Sequence, residues 1–175
     1  IQRRATGLGL GPVFGRKTLT VTTDFESALI KALKRVGAKI HGCHFHFCQA
    51  LWRFVHSHGL SLKYNRDQHF KASVSSSMAL AFLRERDIFG CFLEMESSLT
   101  DDDAILVYEY LERTWINGFG TSLFCQNGEL FRTNNNAEAF HGSLRRVFFT
   151  AHPQFDVVVE KMNDIMDSIK TEWEA

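Results

Sequence analysis

Residues 41–48, HGCHFHFC, hold three histidines (His41, His44, His46) and two cysteines (Cys43, Cys48). Imidazole and thiolate together are zinc chemistry, four ligands in a tetrahedron. Read as a strand, KIHGCHF sends alternate side chains to opposite faces. His41, Cys43 and Phe45 then point one way, His44 and His46 the other. One ion cannot gather all five. No second cluster repeats a zinc-ligand spacing, and His56 and His58 fall on different faces of one expected helix. A zinc-binding adaptor is therefore the third of three readings.

The other chemistry is carboxylate. Asp24 ends TLTVTTD, a β-branched run that predicts a buried strand. An acid at the carboxyl end of a parallel strand stands where open α/β sheets bind ligands, and its oxygens suit Mg²⁺. The same position also suits the N-cap of the next helix. Glu138 follows RTNNNA at an expected helix start, as a distant partner for Asp24 or as a surface acid in a first turn. Asn134, Asn135 and Asn136 suit a cap or turn. Arg132, Arg145 and Arg146 suit phosphate contacts or a solvated face. Asp101, Asp102 and Asp103 are expected simply to start a helix. GLGPVFGRKT is glycine-rich, but Arg16 between Gly15 and Lys17 breaks the spacing of a nucleotide-binding loop.

These residues need elements to position them. After strand 18–24, Ala28, Leu29, Ala32, Leu33 and Val36 predict a helix that Gly37 stops. KIHGCHF is the second strand. Cys48, Leu51, Trp52 and Val55 then predict a helix ending at Gly59. A helix between two strands implies a parallel pair. From 60 to 130 the spacing turns helical, in about three elements: Phe70, Val74, Met78, Ala81; Ile88, Phe92, Met95; Val107, Leu111, Trp115. NGFG and QNG read as turns. A final helix carries Val158, Met162, Ile165, Ile169 and Trp173.

The chain has 175 residues, enough for one domain carrying an insertion. Twenty Lys and Arg balance twenty Asp and Glu, so any nucleic-acid surface must be local. No apolar run reaches the roughly 20 residues of a membrane span, and no partner membrane is expected. The four cysteines are widely spaced, which predicts free thiols and a reducing compartment.

Three segments in fixed order, TDFESAL (23–29), GCHFHFCQALWRFVHSHGL (42–60) and RTNNNAEAFH (132–141), together resemble the Mutator-like element (MULE) transposases; YLERTWI (110–116) fits the end of that family's helical insertion. The resemblance implies a ribonuclease H-like fold, here partial. Residues 1–58 would form a strand-helix-strand-helix core, 59–130 an all-α insertion, and 131–175 the returning helices, helix-dominated α/β overall. It implies a DDE site, in which carboxylates bind two Mg²⁺ or Mn²⁺ ions for phosphodiester cleavage and transfer. Asp24 and Glu138 match two catalytic, metal-binding carboxylates. Cys43 and His46 match a Cys-x-x-His pair that supports the site. Arg132 and Asn135 belong to the motif approaching the Glu. The implied setting is the nucleus, with transposon-end and target DNA as partners and a homo-oligomer possible.

The first catalytic Asp of that family should stand well upstream of Asp24, yet none of the 23 preceding residues is acidic. The chain is therefore expected to be a fragment, or to derive from a domesticated element, and to be inactive alone. A domesticated, non-catalytic DNA-binding or interaction protein is the second reading. Two strands without sheet neighbours would also leave an unpaired edge, so aggregation or a strand-supplying partner is expected.

Overall fold

The computed structural model describes residues 19–148, 150 and 153–174. The glycine-rich segment up to residue 17 lies outside them. So do the side chains of Asn136, Arg145, Ile169 and Trp173. The chain divides into two compact units, one ending at Thr133 and the other beginning at Asn134.

The first unit opens with β1 (Thr20–Thr23), α1 (Ser27–Arg35), β2 (Lys39–Gly42) and α2 (His44–Ser57). β1 and β2 pair in parallel, Thr20 opposite Lys39 and Thr23 opposite Gly42. This is a two-stranded parallel sheet in a helix-dominated α/β unit. Gly37 (φ 74°) and Gly59 (φ 72°) follow α1 and α2 in the left-handed conformation that glycine adopts without a Cβ clash.

Three expectations are corrected by these elements. The second strand stops at Gly42, and α2 begins at His44, so His44 and His46 lie in a first helical turn rather than on one strand face. On α1 the buried residue is Ile30, whereas Ala28, Leu29, Ala32 and Val36 are exposed. A sheet of two strands covers only a narrow band of the helix, and the wider apolar stripe finds no cover among the described residues. The face of α2 is likewise shifted: Phe47, Leu51 and Val55 are buried while Trp52 is exposed.

A helical array follows: α3 (Ser61–Arg66), α4 (Gln68–Ala79), a 3₁₀ turn (Leu80–Phe82), α5 (Glu85–Ser97) and α6 (Asp102–Tyr110). α6 runs without a break into π-helical turns over Leu111–Phe119, and α7 (Thr121–Phe124) closes the array. The expected turn at NGFG is instead the end of that π-helical stretch, where Gly120 N–H reaches the Trp115 carbonyl five residues back, at 2.9 Å. The expected spacing holds. Phe70, Val74, Ala81, Ile88, Phe92, Val107, Leu111 and Trp115 are all buried. Full burial of each large apolar side chain contributes about 1.5–3 kcal/mol.

Asp101 caps α6, accepting from Asp103 N–H at 2.9 Å and Ala104 N–H at 3.2 Å. Lys63 bridges Asp101 and Asp103 at 2.7 Å each, tying α3 to that helix start. The acidic run is thus a cap with a counter-ion. The second unit holds α8 (Asn135–Phe148) and α9 (Phe155–Glu174), which pack together. Val158, Met162 and Ile165 are half-buried along α9. No helix among the described residues is long and apolar enough to cross a membrane.

Candidate functional site

Asp24 directly follows β1. Its Oδ1 accepts from Glu26 N–H and from the Thr23 hydroxyl, each at 3.4 Å, so the half-buried carboxylate is loosely held. What fixes its position is the next residue. The Phe25 ring meets Trp115 edge-to-face at 4.6 Å and Phe119 at 5.2 Å. It also lies against the backbone of Gly42, where any Cβ would overlap it. An aromatic plug therefore pins the end of β1 to the end of β2 and to the core of the helical array.

Cys43 is fully buried and occupies the position before α2. Its N–H donates to Thr23 O at 2.7 Å, which extends the β1–β2 pairing to the residue before Asp24. His46, half-buried, follows in the first turn of α2. The chain leaving the helical array returns to the same edge. Phe131 O accepts from the Thr22 hydroxyl at 3.1 Å, and Arg132 O accepts from His44 N–H at 2.8 Å. That second bond satisfies one of the free amides at the start of α2.

Buried Gln126 locks the junction from behind. Its side-chain amide donates to Gly42 O at 2.8 Å and Phe124 O at 3.1 Å, and its backbone N–H donates to Ala81 O at 2.6 Å. Beside it, His41 on β2 is 6% exposed and its Nε2 lies 3.0 Å from Glu129, which also holds Lys39 at 3.2 Å.

Arg132 reaches out over Phe82, its guanidinium 5.3 Å from the ring centre, and the His44 ring packs on the same Phe82 at 4.6 Å. Burial first, then the Arg132 charge, lowers the His44 pKa from its ordinary value and so favours the neutral imidazole. Cys48 Sγ lies 3.3 Å from His44 Nε2. Burial, reinforced by Cys43, pushes the Cys48 thiol up to about 11. A cysteine nucleophile requires the opposite polarity, a thiolate beside an imidazolium. These two residues are packing partners.

Asp24, Cys43, His46 and Arg132 therefore share one edge of the first unit. Asn135 and Glu138 belong to the second, both exposed at the start of α8, with Glu138 N–H donating to Asn134 O at 3.1 Å. Among the described residues no group of three or more His, Cys, Asp or Glu side chains gathers as a metal would require. A single carboxylate at the edge, already accepting two hydrogen bonds, does not complete a two-ion centre. Sequence reading missed Phe25, Gly42 and Gln126. Their partners lie far along the chain, and no local pattern announces them.

Comparison with protein-family models, with curated proteins and with solved structures gives no match to this chain.

Proposed function

We propose that this chain is part of the catalytic domain of a DNA transposase of the Mutator-like class, built on a ribonuclease H-like scaffold. One observation carries the reading. Segments around residues 24, 43–46 and 131–132, far apart in sequence, meet at the carboxyl edge of a parallel strand pair through three hydrogen bonds. That edge is where open α/β sheets place their chemistry. Under this reading Asp24 and Glu138 are two of the three carboxylates of a site that takes Mg²⁺ or Mn²⁺ when complete. Cys43 and His46 brace the strand-to-helix junction beside Asp24, while Arg132 and Asn135 lead the chain toward Glu138. The substrate is transposon-end and target DNA, and the setting is the nucleus.

The chain alone supplies two carboxylates, so it is expected not to cut DNA with Mg²⁺ or Mn²⁺. The test is strand cleavage of labelled transposon-end DNA by the full-length protein. Asp24→Ala and Glu138→Ala should each abolish it. Normal cleavage by either variant overturns the reading. The lone carboxylate at the described edge also favours a second reading, a domesticated DNA-binding protein without catalysis. Specific DNA binding by the full-length protein, with no cleavage in either metal, would select it.

A further inference from the structure

We infer that the groove between α1 and the π-helical turns is a binding site for a small amphipathic anion, with an apolar body and a carboxylate or phosphate head. The groove encloses about 450 Å³. That falls within the ~300–1,000 Å³ of typical small-molecule sites. Its floor is apolar: Ile30 and Leu123 are 7% and 6% exposed, and Phe119 is half-buried beside them. Its rim is cationic. Lys31 and Lys34 stand one helical turn apart on α1, both exposed, and neither is paired with a carboxylate among the described residues.

Two hydroxyls complete the lining. Ser27 on α1 and Thr114 on the opposite wall have no side-chain hydrogen-bond partner among the described residues. The wall itself is the π-helical stretch, a distortion often found where helices bind ligands. An apolar floor with two unpaired ammonium groups at one side suits a ligand that is greasy at one end and negative at the other. A nucleic-acid backbone, charged along its whole length, would leave the floor unused. The inference is independent of the transposase reading, because no residue of the Asp24 edge lines this groove.

The experiment is a fluorescence titration of the purified 175-residue chain with 1-anilinonaphthalene-8-sulfonate, an aromatic body bearing one anionic head, followed by displacement with decanoate or decyl phosphate. One saturable site is expected, emptied by either competitor. Lys31→Ala/Lys34→Ala should weaken it about tenfold, the sum of two exposed charge contacts. Lys31→Arg/Lys34→Arg should restore it, and Lys71→Ala, which removes the same charge outside the groove lining, should leave it unchanged. Circular dichroism checks that each variant is folded. Wild-type affinity in the double alanine variant overturns the inference. So does displacement by a DNA duplex where decanoate and decyl phosphate both fail.

Discussion

The backbone N–H of His44 donates to the carbonyl oxygen of Arg132 at 2.8 Å, across 88 positions of sequence (132 minus 44). This is a main-chain contact, so the meeting of the two segments does not depend on the Arg132 side chain. The guanidinium is left to act on its surroundings.

Arg132→Ala should leave the unit folded and raise the His44 pKa back toward 6.5, because one of its two depressing influences is gone. The sign for stability is definite. The folded state holds fewer protons at His44 than the unfolded state, so stability is full above pH 6.5 and falls as pH drops toward the folded value. The variant should lose less over that window. An NMR titration of the imidazole carbons alongside urea melts at several pH values reads both effects; an unmoved His44 titration would contradict the assignment.

Asp24 and Phe25 should separate chemistry from folding. Asp24→Asn removes a group held by two 3.4 Å bonds, so a stability change under about 0.5 kcal/mol is expected. Phe25→Ala empties a packed aromatic site and should lose about 3–5 kcal/mol. Chemical denaturation of both variants gives the comparison, and equal losses would mean that Asp24 is itself a structural residue.

The buried amide of Gln126 donates to two carbonyls. Gln126→Leu keeps the volume but strands Gly42 O and Phe124 O, for an expected loss of about 2–3 kcal/mol. Gly42→Ala should also destabilise, by forcing the Phe25 ring off its seat. Lowered urea midpoints are the readout; a neutral Gln126→Leu would show that water replaces the amide.

The Lys63 bridge predicts acid sensitivity. Its hydrogen bond is the first cause holding the Asp101 carboxyl below 3.8. A depressed acid stabilises the fold above its unfolded pKa and loses that contribution as pH falls through the folded value. Asp101→Asn keeps the capping oxygen but not the charge. Its deficit against wild type should be present at pH 7 and close as pH falls below about 3.8. Asp101→Ala should lose about 1 kcal/mol more at pH 7, the value of the cap.

Cys48 should be nearly inert. With its thiol pushed up to about 11, its thiolate is scarce at pH 8. Alkylation by iodoacetamide should run about a hundredfold slower than for an open thiol of ordinary pKa. Mass spectrometry of the labelled peptide measures this, and rapid labelling would reverse the reading of the His44–Cys48 pair.

How much of this was legible in the sequence varied with the range of the interaction. Helical spacing found the buried Phe70, Val74, Ile88, Phe92, Val107, Leu111 and Trp115, because a packed array rewards one periodic face. The same logic failed on α1, where Leu29 and Val36 are exposed over a sheet only two strands wide. The end of the second strand was misread because alternation cannot show where pairing stops. It stops where Cys43 N–H takes Thr23 O and the chain turns into α2. Asp24 and the Cys43–His46 junction were visible as residue types at element ends. The convergence of Phe131 and Arg132 on that edge was not, because it is made through carbonyl oxygens that every residue carries. Buried Gln126 was equally hidden, as a polar residue whose distant partners Gly42 and Ala81 no local pattern reveals.

The π-helical stretch has a consequence for length. Each such turn holds more residues than an α-turn over the same path. Deleting one residue between Leu111 and Phe119 draws on that surplus as the helix tightens toward α geometry, whereas a deletion in the regular α-helix before it, Asp102–Tyr110, would rotate all that follows by about 100°. Leu123 and Phe124 would swing out of the core, and Gln126 away from Gly42. Natural variants should therefore tolerate a one-residue deletion between Leu111 and Phe119 better than one between Asp102 and Tyr110.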